Sequence, residues 1–255
     1  MSENETGIRL YVEAPLAAGA SVGLSRDQAH YLRSVMRLEA GAALLLFNGG
    51  DGEWRGRIDG LGKGWASVAL EARTREQTAE PDLWLVFAPI KRARIDFVAQ
   101  KATELGVSAL VPVFTRRTAV ERVNAERLRA NAIEAAEQCE RLSVPAVLEP
   151  EPLEKLLARW PAERRLLLCD ETGGEPIADA LAEHRRRSLA PGPWAVVVGP
   201  EGGFEPGELD RMRKLPIVTA VGLGPRALRA DTAALAALAC WQAQLGDWHG
   251  VRGKH

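Results

Sequence analysis

Trp194-Ala195-Val196-Val197-Val198-Gly199-Pro200-Glu201-Gly202-Gly203-Phe204 decides how this chain is read. Residues 195–198 are apolar and mostly β-branched, the signature of a strand buried on both faces. The run stops in Gly199, Pro200, Glu201, Gly202 and Gly203, and Pro206 then suits the first position of a helix. A strand that ends in glycines lets backbone N–H groups approach a ligand, because no Cβ intervenes. The pattern recurs in Ile217-Val-Thr-Ala-Val-Gly-Leu-Gly224, followed by Pro225, Arg226 and Arg229 and a helix opening near Asp231-Thr232. An earlier copy, Arg165-Leu-Leu-Leu-Cys-Asp-Glu171, ends in acids and then Gly173-Gly174. One such loop would be an ordinary turn. Three in series predict a shared ligand site at the carboxyl edge of an open α/β sheet.

At 255 residues the chain has room for one large domain or two modest ones. Its apolar and charged fractions, 46% and 26%, are those of a soluble globular protein. No apolar run is long enough to span a bilayer, and the amino terminus lacks a signal-peptide pattern, so the expected location is cytoplasmic and no membrane partner is expected. Cys139, Cys169 and Cys240 are scattered and odd in number, which fits a reducing compartment rather than a disulfide framework. His30, His184, His249 and His255 have no metal-ligand spacing, and no metal is expected. Net charge is only −1, yet residues 91–129 hold nine Lys/Arg (Lys91, Arg92, Arg94, Lys101, Arg116, Arg117, Arg122, Arg127, Arg129) against four acids. That local excess reads either as a phosphate-binding face or as an ordinary solvated surface.

Strands are predicted at Ile8–Val12, Ala43–Phe47, Glu53–Ile58 and Trp65–Leu70, the last two alternating as half-buried antiparallel strands do. With the turns at 48–52 and 59–62 they predict a small β-barrel over residues 1–75. One helix interrupts it, with Ser25 and Gln28 as a capping box, Ala29, Leu32, Val35 and Met36 as the apolar stripe, and Gly41 as the stop. This helix and its surroundings carry Arg26, His30, Arg33 and Arg37; nothing nearby orients His30 for catalysis. The polar stretch Arg73–Pro81 marks a boundary, and strand and helix alternate over a second domain, residues 80–248. It comprises strands at 83–88, 109–114 and 146–148, helices at 93–105 and 125–139, a helix opened by Pro152, then the three strands already described. The last helix, Ala233–Leu245, is alanine-rich and apolar enough to face the sheet or a second subunit. Such repeated βα units predict a mostly parallel sheet with helices on both faces, and a loose tail from Gly246.

Several chemistries are disfavoured by missing motifs. There is no GxxxxGK[ST] loop, no GxGxxG after the first strand of the second domain, where Lys91-Arg-Ala-Arg94 stands instead, and no G-x-S-x-G elbow. What remains is a late, glycine-rich site with Glu201, Arg226, Arg229 and Asp231 nearby, suited to stabilising developing negative charge and accepting a proton.

Taken together, Lys101-Ala-Thr-Glu-Leu-Gly-Val107, Ala136-Glu-Gln-Cys139, Val198-Gly-Pro-Glu-Gly-Gly203, and Leu223-Gly-Pro-Arg-Ala-Leu-Arg229 with Asp231-Thr232-Ala233 resemble one family across nearly the whole chain. It is the bacterial 16S ribosomal RNA uracil-N3 methyltransferases of the SPOUT superfamily. The resemblance implies a PUA-like, RNA-binding amino-terminal barrel, a SPOUT-type α/β domain with a carboxyl-terminal trefoil knot, and a homodimer formed through the knotted domain. S-adenosylmethionine (SAM) would lie among Leu168, Cys169, Asp170 and Glu171, the loop Gly199–Gly203, and Leu223, Gly224, Pro225, Leu228, Arg229 and Thr232. Leu223 and Leu228 would give apolar contact to the adenine. The implied target is N3 of a uridine of 16S rRNA in the small ribosomal subunit, uridine 1498 in the family. Arg26, Arg33, Arg37, Lys91, Arg92, Arg94, Arg116 and Arg117 become candidate RNA contacts. Asp231 departs from the pattern, which has glutamate there; the shorter acid keeps the charge and loses reach.

Uracil N3 lies between two carbonyls and must lose a proton as it attacks, so positioning and anion stabilisation should dominate. Arg226 or Arg229 would stabilise charge on a uracil carbonyl, and Glu201 or Asp231 would assist proton removal. Equally, Asp231 can cap the last helix and Arg229 can hold a loop carbonyl. Rival readings are a SPOUT enzyme acting on another RNA atom, a non-catalytic RNA-binding assembly protein, and a nucleotide-dependent oxidoreductase.

Overall fold

The computed structural model describes residues 7–187 and 192–248, without the side chain of Arg92. His249, His255 and the end of the tail expected to be loose lie outside the described residues. Two compact units form: Met1–Ala79 with Ala136–Val144, and Glu80–Ala135 with Pro145–His255. The stretch 136–144, read from sequence as part of the second domain, is thus grouped with the first.

The first unit contains β1 (Arg9–Tyr11), β2 (Ser21–Leu24), α1 (Arg26–His30), β3 (Ala43–Phe47), β4 (Glu53–Gly62) and β5 (Trp65–Arg75). They make one sheet in the order β1-β3-β4-β5-β2, with β1 parallel to β3 and the other pairs antiparallel. The pairing is an open path, not the closed ring of a complete barrel. It is nonetheless strongly curled, because Leu10 of β1 and Val22 of β2, at opposite ends of the order, share one apolar cluster with Leu32, Leu44, Leu46, Ile58 and Val68. Register shifts between β4 and β5 at Glu53/Trp54, Arg55/Gly56 and Ile58/Gly60 supply the bend.

The capping box predicted at Ser25 and Gln28 forms, with Gln28 N–H donating to Ser25 Oγ at 3.2 Å and Ser25 N–H to Gln28 Oε1 at 3.0 Å. The expected stripe then fails halfway. Ala29 and Leu32 are buried, but Val35 is 60% and Met36 39% exposed. A π-helical turn, Tyr31–Val35, is the cause: the Met36 N–H bonds Tyr31 O, and the wider turn rotates later side chains off the buried face. The helix ends there, at Arg37 with φ 54°, and not at Gly41.

Arg9 ties the first unit together. Its Nε bonds Glu53 Oε2 at 2.7 Å, and its terminal nitrogens donate to the carbonyls of Ala136, Glu137 and Arg141 at 2.9–3.0 Å. Phe47 lies beneath the guanidinium at 4.5 Å. These carbonyls close the end of a helix, so one buried cation both neutralises Glu53 and satisfies orphan acceptors.

The second unit runs β6 (Leu83–Phe87), α2 (Arg92–Glu104), β7 (Ala109–Phe114), α3 (Ala125–Gln138, whose last residues from Ala136 are grouped with the first unit), β8 (Ala146–Val147), β9 (Glu151–Pro152) and α4 (Leu153–Ala158). It continues with β10 (Arg165–Cys169), β11 (Glu175–Pro176), α5 (Ile177–Arg187), β12 (Trp194–Val198), α6 (Pro206–Arg213), β13 (Val218–Gly222) and α7 (Ala230–Gln244). Its sheet is parallel in the order β11-β13-β10-β12-β6-β7-β8, with β9 paired to β7. The predicted α/β architecture with helices on both faces is present. Val86, Val111, Leu166, Leu168, Ala195 and Val197 pack against α4 and α6, while α7 crosses β12 on the other side and contacts α2 and α5. Sequence reading missed α5, although Ile177, Ala180, Leu181 and His184 follow helical spacing. Gln242, fully buried on α7, donates to Leu105 O at 2.7 Å and so finishes the end of α2.

Arg9→Ala should lower the stability of the first unit by about 3–5 kcal/mol, because it takes the closest cation from buried Glu53 and leaves three carbonyls without their donor. Chemical denaturation followed by tryptophan emission measures this, and wild-type stability would refute it.

Candidate functional site

Strands β13, β10 and β12 are neighbours whose carboxyl ends fall level, with Cys169 opposite Val221 and Leu168 opposite Val197. The loops that follow them converge on a cavity of ≈ 810 Å³. Its walls include Gly173, Gly174, Gly199, Gly203, Gly222 and Gly224, with Val198, Phe204, Val221, Leu223 and Leu228 as apolar patches and Asp170, Glu171, Glu201 and Arg226 as charged groups. Gly203 has φ +67° and would drive any Cβ into the Glu171 carboxylate. A Cβ on Gly174 would meet the Ala220 backbone at 2.8 Å, and one on Gly199 the Phe204 ring at 3.0 Å. The glycines therefore allow loop-on-loop packing and leave N–H and C=O groups facing the cavity.

Buried carboxylates hold these loops. Asp170, whose side chain is fully enclosed, accepts from Thr172 N–H at 3.0 Å and Thr172 Oγ1 at 2.8 Å, and from Arg213 Nε of α6 at 2.8 Å. Glu208, 3% exposed, accepts from Glu205 N–H and from Arg116 N–H, both at 2.9 Å. It thereby joins the start of α6 to the loop after β7. From that same loop Arg117 donates to Gly202 O at 2.8 Å. Glu205-x-x-Glu208 is a capping box legible in sequence; Arg213, 43 residues from its partner, gave no local signal.

Of the predicted cofactor residues, Cys169, Asp170, Glu171, Gly199, Pro200, Glu201, Gly203, Leu223, Gly224, Pro225 and Leu228 line the cavity. Leu168 does not, because its side chain is fully buried in the core beneath α4 and α6. Gly202 turns its carbonyl to Arg117, and Thr232 and Arg229 are exposed at the start of α7, outside the lining. Asp170 reaches the wall, but its carboxylate serves Thr172 and Arg213. Among the four proposed catalytic residues, Glu201 and Arg226 stand exposed at the cavity. Arg229 is the α7 N-cap position and makes no side-chain capping bond. Asp231, the second residue of α7, accepts from Thr232 N–H at 2.8 Å and faces Arg94 Nε at 3.9 Å. It satisfies a helix-start donor without occupying the N-cap itself.

The basic stretch is less free than its count suggested. Arg127 forks onto Asp96, and Lys101 bonds Glu104 at 2.7 Å. Arg116 lies 3.6 Å from Glu154. Lys91, exposed at the α2 N-cap position, follows β6 at the same sheet edge as the cavity, where Ala88 N–H bonds Val198 O at 3.1 Å. Arg92's side chain lies outside the described residues. Arg26, Arg33 and Arg37 are exposed on the first unit. Among the described residues no group of His, Cys, Asp and Glu is arranged to hold a metal ion, and no helix is long and apolar enough to cross a membrane.

Burial, with a smaller push from the nearby Cys240 sulfur, raises the Cys169 thiol to about 12. His184, away from this cavity, is held below its usual value, chiefly by burial and then by Arg165 and Arg187. It stacks edge-on against Trp194 and pairs with Thr219 Oγ1 at 3.1 Å, a structural role.

A glycine-walled cleft at the carboxyl edge of a parallel sheet, with an arginine and a carboxylate at its rim, defines an α/β enzyme that holds a cofactor in its loops. Residues 78–242 match a family described as RNA methyltransferase domain, and residues 24–70 one described as RNA methyltransferase PUA domain. Ribosomal RNA small subunit methyltransferase E of Rickettsia conorii is 33% identical over 91% of this chain and 93% of its own length. The protein of that name from Synechocystis is 32% identical over 91% of this chain and 76% of its own length. A crystal structure of the Neisseria gonorrhoeae protein of that name, bound to S-adenosyl methionine, superposes with TM-score 0.82 at 29% identity, covering 94% of this chain and 99% of that one. A Legionella pneumophila structure with bound SAM gives TM-score 0.82 at 28% identity, over 94% and 98% of the two chains. The chain belongs to this family of RNA methyltransferases, with a PUA domain at its amino terminus.

Arg213→Ala should cost about 1–3 kcal/mol, the outer half of its side chain being exposed, and should speed hydrogen exchange at residues 170–174. Unchanged exchange there would remove Arg213 as the loop anchor. Cys169 should resist alkylation at pH 8, where roughly one thiol in ten thousand would be ionised, while exposed Cys139 reacts. Between about pH 9 and 12 the unfolded chain releases a proton that the folded chain keeps, so stability should fall across that window, as a Cys169→Ser control would show.

Proposed function

We propose that this protein methylates N3 of one uridine of 16S rRNA, using SAM held in the three-loop cavity. The observation that carries this reading is a cavity walled by glycine backbone with Arg226 and Glu201 at its rim. Glycines that leave no Cβ in the cradle and an apolar wall with Leu223, Leu228 and Phe204 suit a flat, uncharged purine with hydrogen-bonding edges. The names of the relatives supply the class of substrate, and two of the structural neighbours carry the cofactor.

SAM, when bound, supplies an electrophilic methyl group. Everything else falls to the chain. Arg226, which lines the cavity, would face a uracil carbonyl and stabilise the negative charge that grows as N3 loses its proton. Glu201, exposed at the same cavity and without a hydrogen-bonded partner among the described residues, is the better proton acceptor; Asp231 is already committed to Thr232 N–H and Arg94. Closely packed loops fix the nucleophile's approach and exclude water. Lys91, Arg94, Arg116 and Arg117, at the mouth of the same sheet edge, supply positive charge for phosphates.

The trefoil knot belongs to the same reading: β13 pairs between β10 and β11, both earlier in the chain, as a threaded strand would. So does a homodimer, since α7 buries Ala234, Ala237, Leu238 and Trp241 and leaves Leu235, Ala236, Ala239 and Cys240 half-exposed on an apolar flank. A cytoplasmic location follows from a ribosomal substrate.

Small ribosomal subunits from a strain lacking the gene, incubated with labelled SAM and analysed by nuclease digestion and mass spectrometry, should yield 3-methyluridine at one site. A different methylated nucleoside would move the reading to another RNA atom, and SAM binding without product to another RNA. Arg226→Ala should lower kcat about 10²–10³-fold with SAM affinity mostly retained; normal turnover eliminates its role.

A further inference from the structure

Trp65 opens β5 at the tip of the β4–β5 hairpin and is 55% exposed, an unusual state for the largest apolar side chain. Its position is explained by Gly60 and Gly62, which alternate along β4 and so face the same side of the sheet. A Cβ on Gly62 would run into the indole at Nε1, and one on Gly60 would stand 2.6 Å from the far edge of the ring at Cζ3. The two ends of the indole thus rest on two successive glycines, so the ring lies flat along the strand. One face is covered by backbone and the opposite face is open to solvent.

Cover for glycine in a strand pair explains the first face. It does not explain why the second stays bare at a turn that two cations share. Lys63 occupies the turn and is exposed. Arg26 of α1 reaches the same turn, its Cγ 3.6 Å from where a Gly64 Cβ would be. Among the described residues neither cation is paired with a carboxylate. A flat, rigid aromatic face flanked by unpaired positive charge is complementary to an unstacked base with its phosphates.

We propose that Trp65 is a stacking platform for an unpaired nucleotide of the RNA, with Arg26 and Lys63 neutralising the adjoining phosphates. This rests on the reading of the protein as an rRNA methyltransferase and adds a recognition point on the first unit.

The test uses the full-length protein and a 16S rRNA transcript as probe. Trp65→Leu keeps an apolar cover over Gly60 and Gly62 but cannot stack, and should weaken binding about tenfold. Trp65→Phe retains a ring and should remain within about threefold of wild type. Arg26→Ala should lower the slope of log affinity against log salt by about one, which Trp65→Leu should not. Both Trp65 variants should keep the wild-type melting temperature and SAM affinity. Equal affinity of Trp65→Leu and wild type, or equal losses in the Leu and Phe variants, overturns the proposal. Should Trp65→Leu fail to fold, ultraviolet crosslinking of the wild-type complex decides: a nucleotide on the Trp65 peptide supports the platform, and its absence refutes it. A wild-type protein that methylates rRNA while Trp65→Leu binds normally sinks the platform alone. One that neither binds nor methylates sinks the functional reading.

Discussion

Loops built from glycine backbone do not stay open unaided, and the cavity depends on the buried carboxylates that pin them. Asp170 gathers Thr172 and Arg213 and so fixes the loop after β10 to α6. Glu208 takes the Glu205 and Arg116 N–H groups and fixes the entry of α6 to the loop after β7. Each enclosed carboxylate finds enough donors to offset its desolvation, the condition under which a buried charge is tolerated. The GPEGG loop lies between these two fixed points, with Arg117 holding its Gly202 carbonyl. Loop geometry at the site is thus set by residues that never need to touch a ligand.

The first unit uses the same device differently. Arg9 gives the buried Glu53 its closest cation and satisfies several carbonyls that would otherwise lack a donor, and Phe47 packs beneath it. A single guanidinium, with its fork of donors, does what several neutral side chains would be needed to do. The unit's outer surface follows another rule. The π turn that rolls Val35 and Met36 outward and the glycines that seat Trp65 both expose apolar groups, and both arise from backbone geometry.

At the cavity rim the charged groups divide by pairing. Glu201 and Arg226 are exposed at the cavity, whereas Asp231 and Arg94 face each other across the start of α7. The Asp231 carboxylate lies against its own helix, where it accepts from Thr232 N–H. Cys169, beside them, stays a neutral thiol at physiological pH and behaves as an apolar wall.

The sequence by itself determined the parallel α/β sheet and the three glycine loops, because β-branched runs that stop at Gly and Pro have few other ways to fold. Strand bounds such as Ala43–Phe47 and Ala109–Phe114, and the Pro206 start of α6, agree with the structure to the residue. The Ser25–Gln28 box was legible for the same reason: it is a local contact between residues three apart. What needed the tertiary structure was everything decided by partners distant in sequence. Leu168 was assigned to the cofactor, yet it points into the core because strand alternation places it under α4 and α6. Arg127 counts toward the basic stretch, but the fold sets it against Asp96, and Arg213 meets Asp170 across 43 residues, with no local signal. Periodicity and turn chemistry report on neighbours along the chain; charge pairing and burial are settled only when the chain closes on itself.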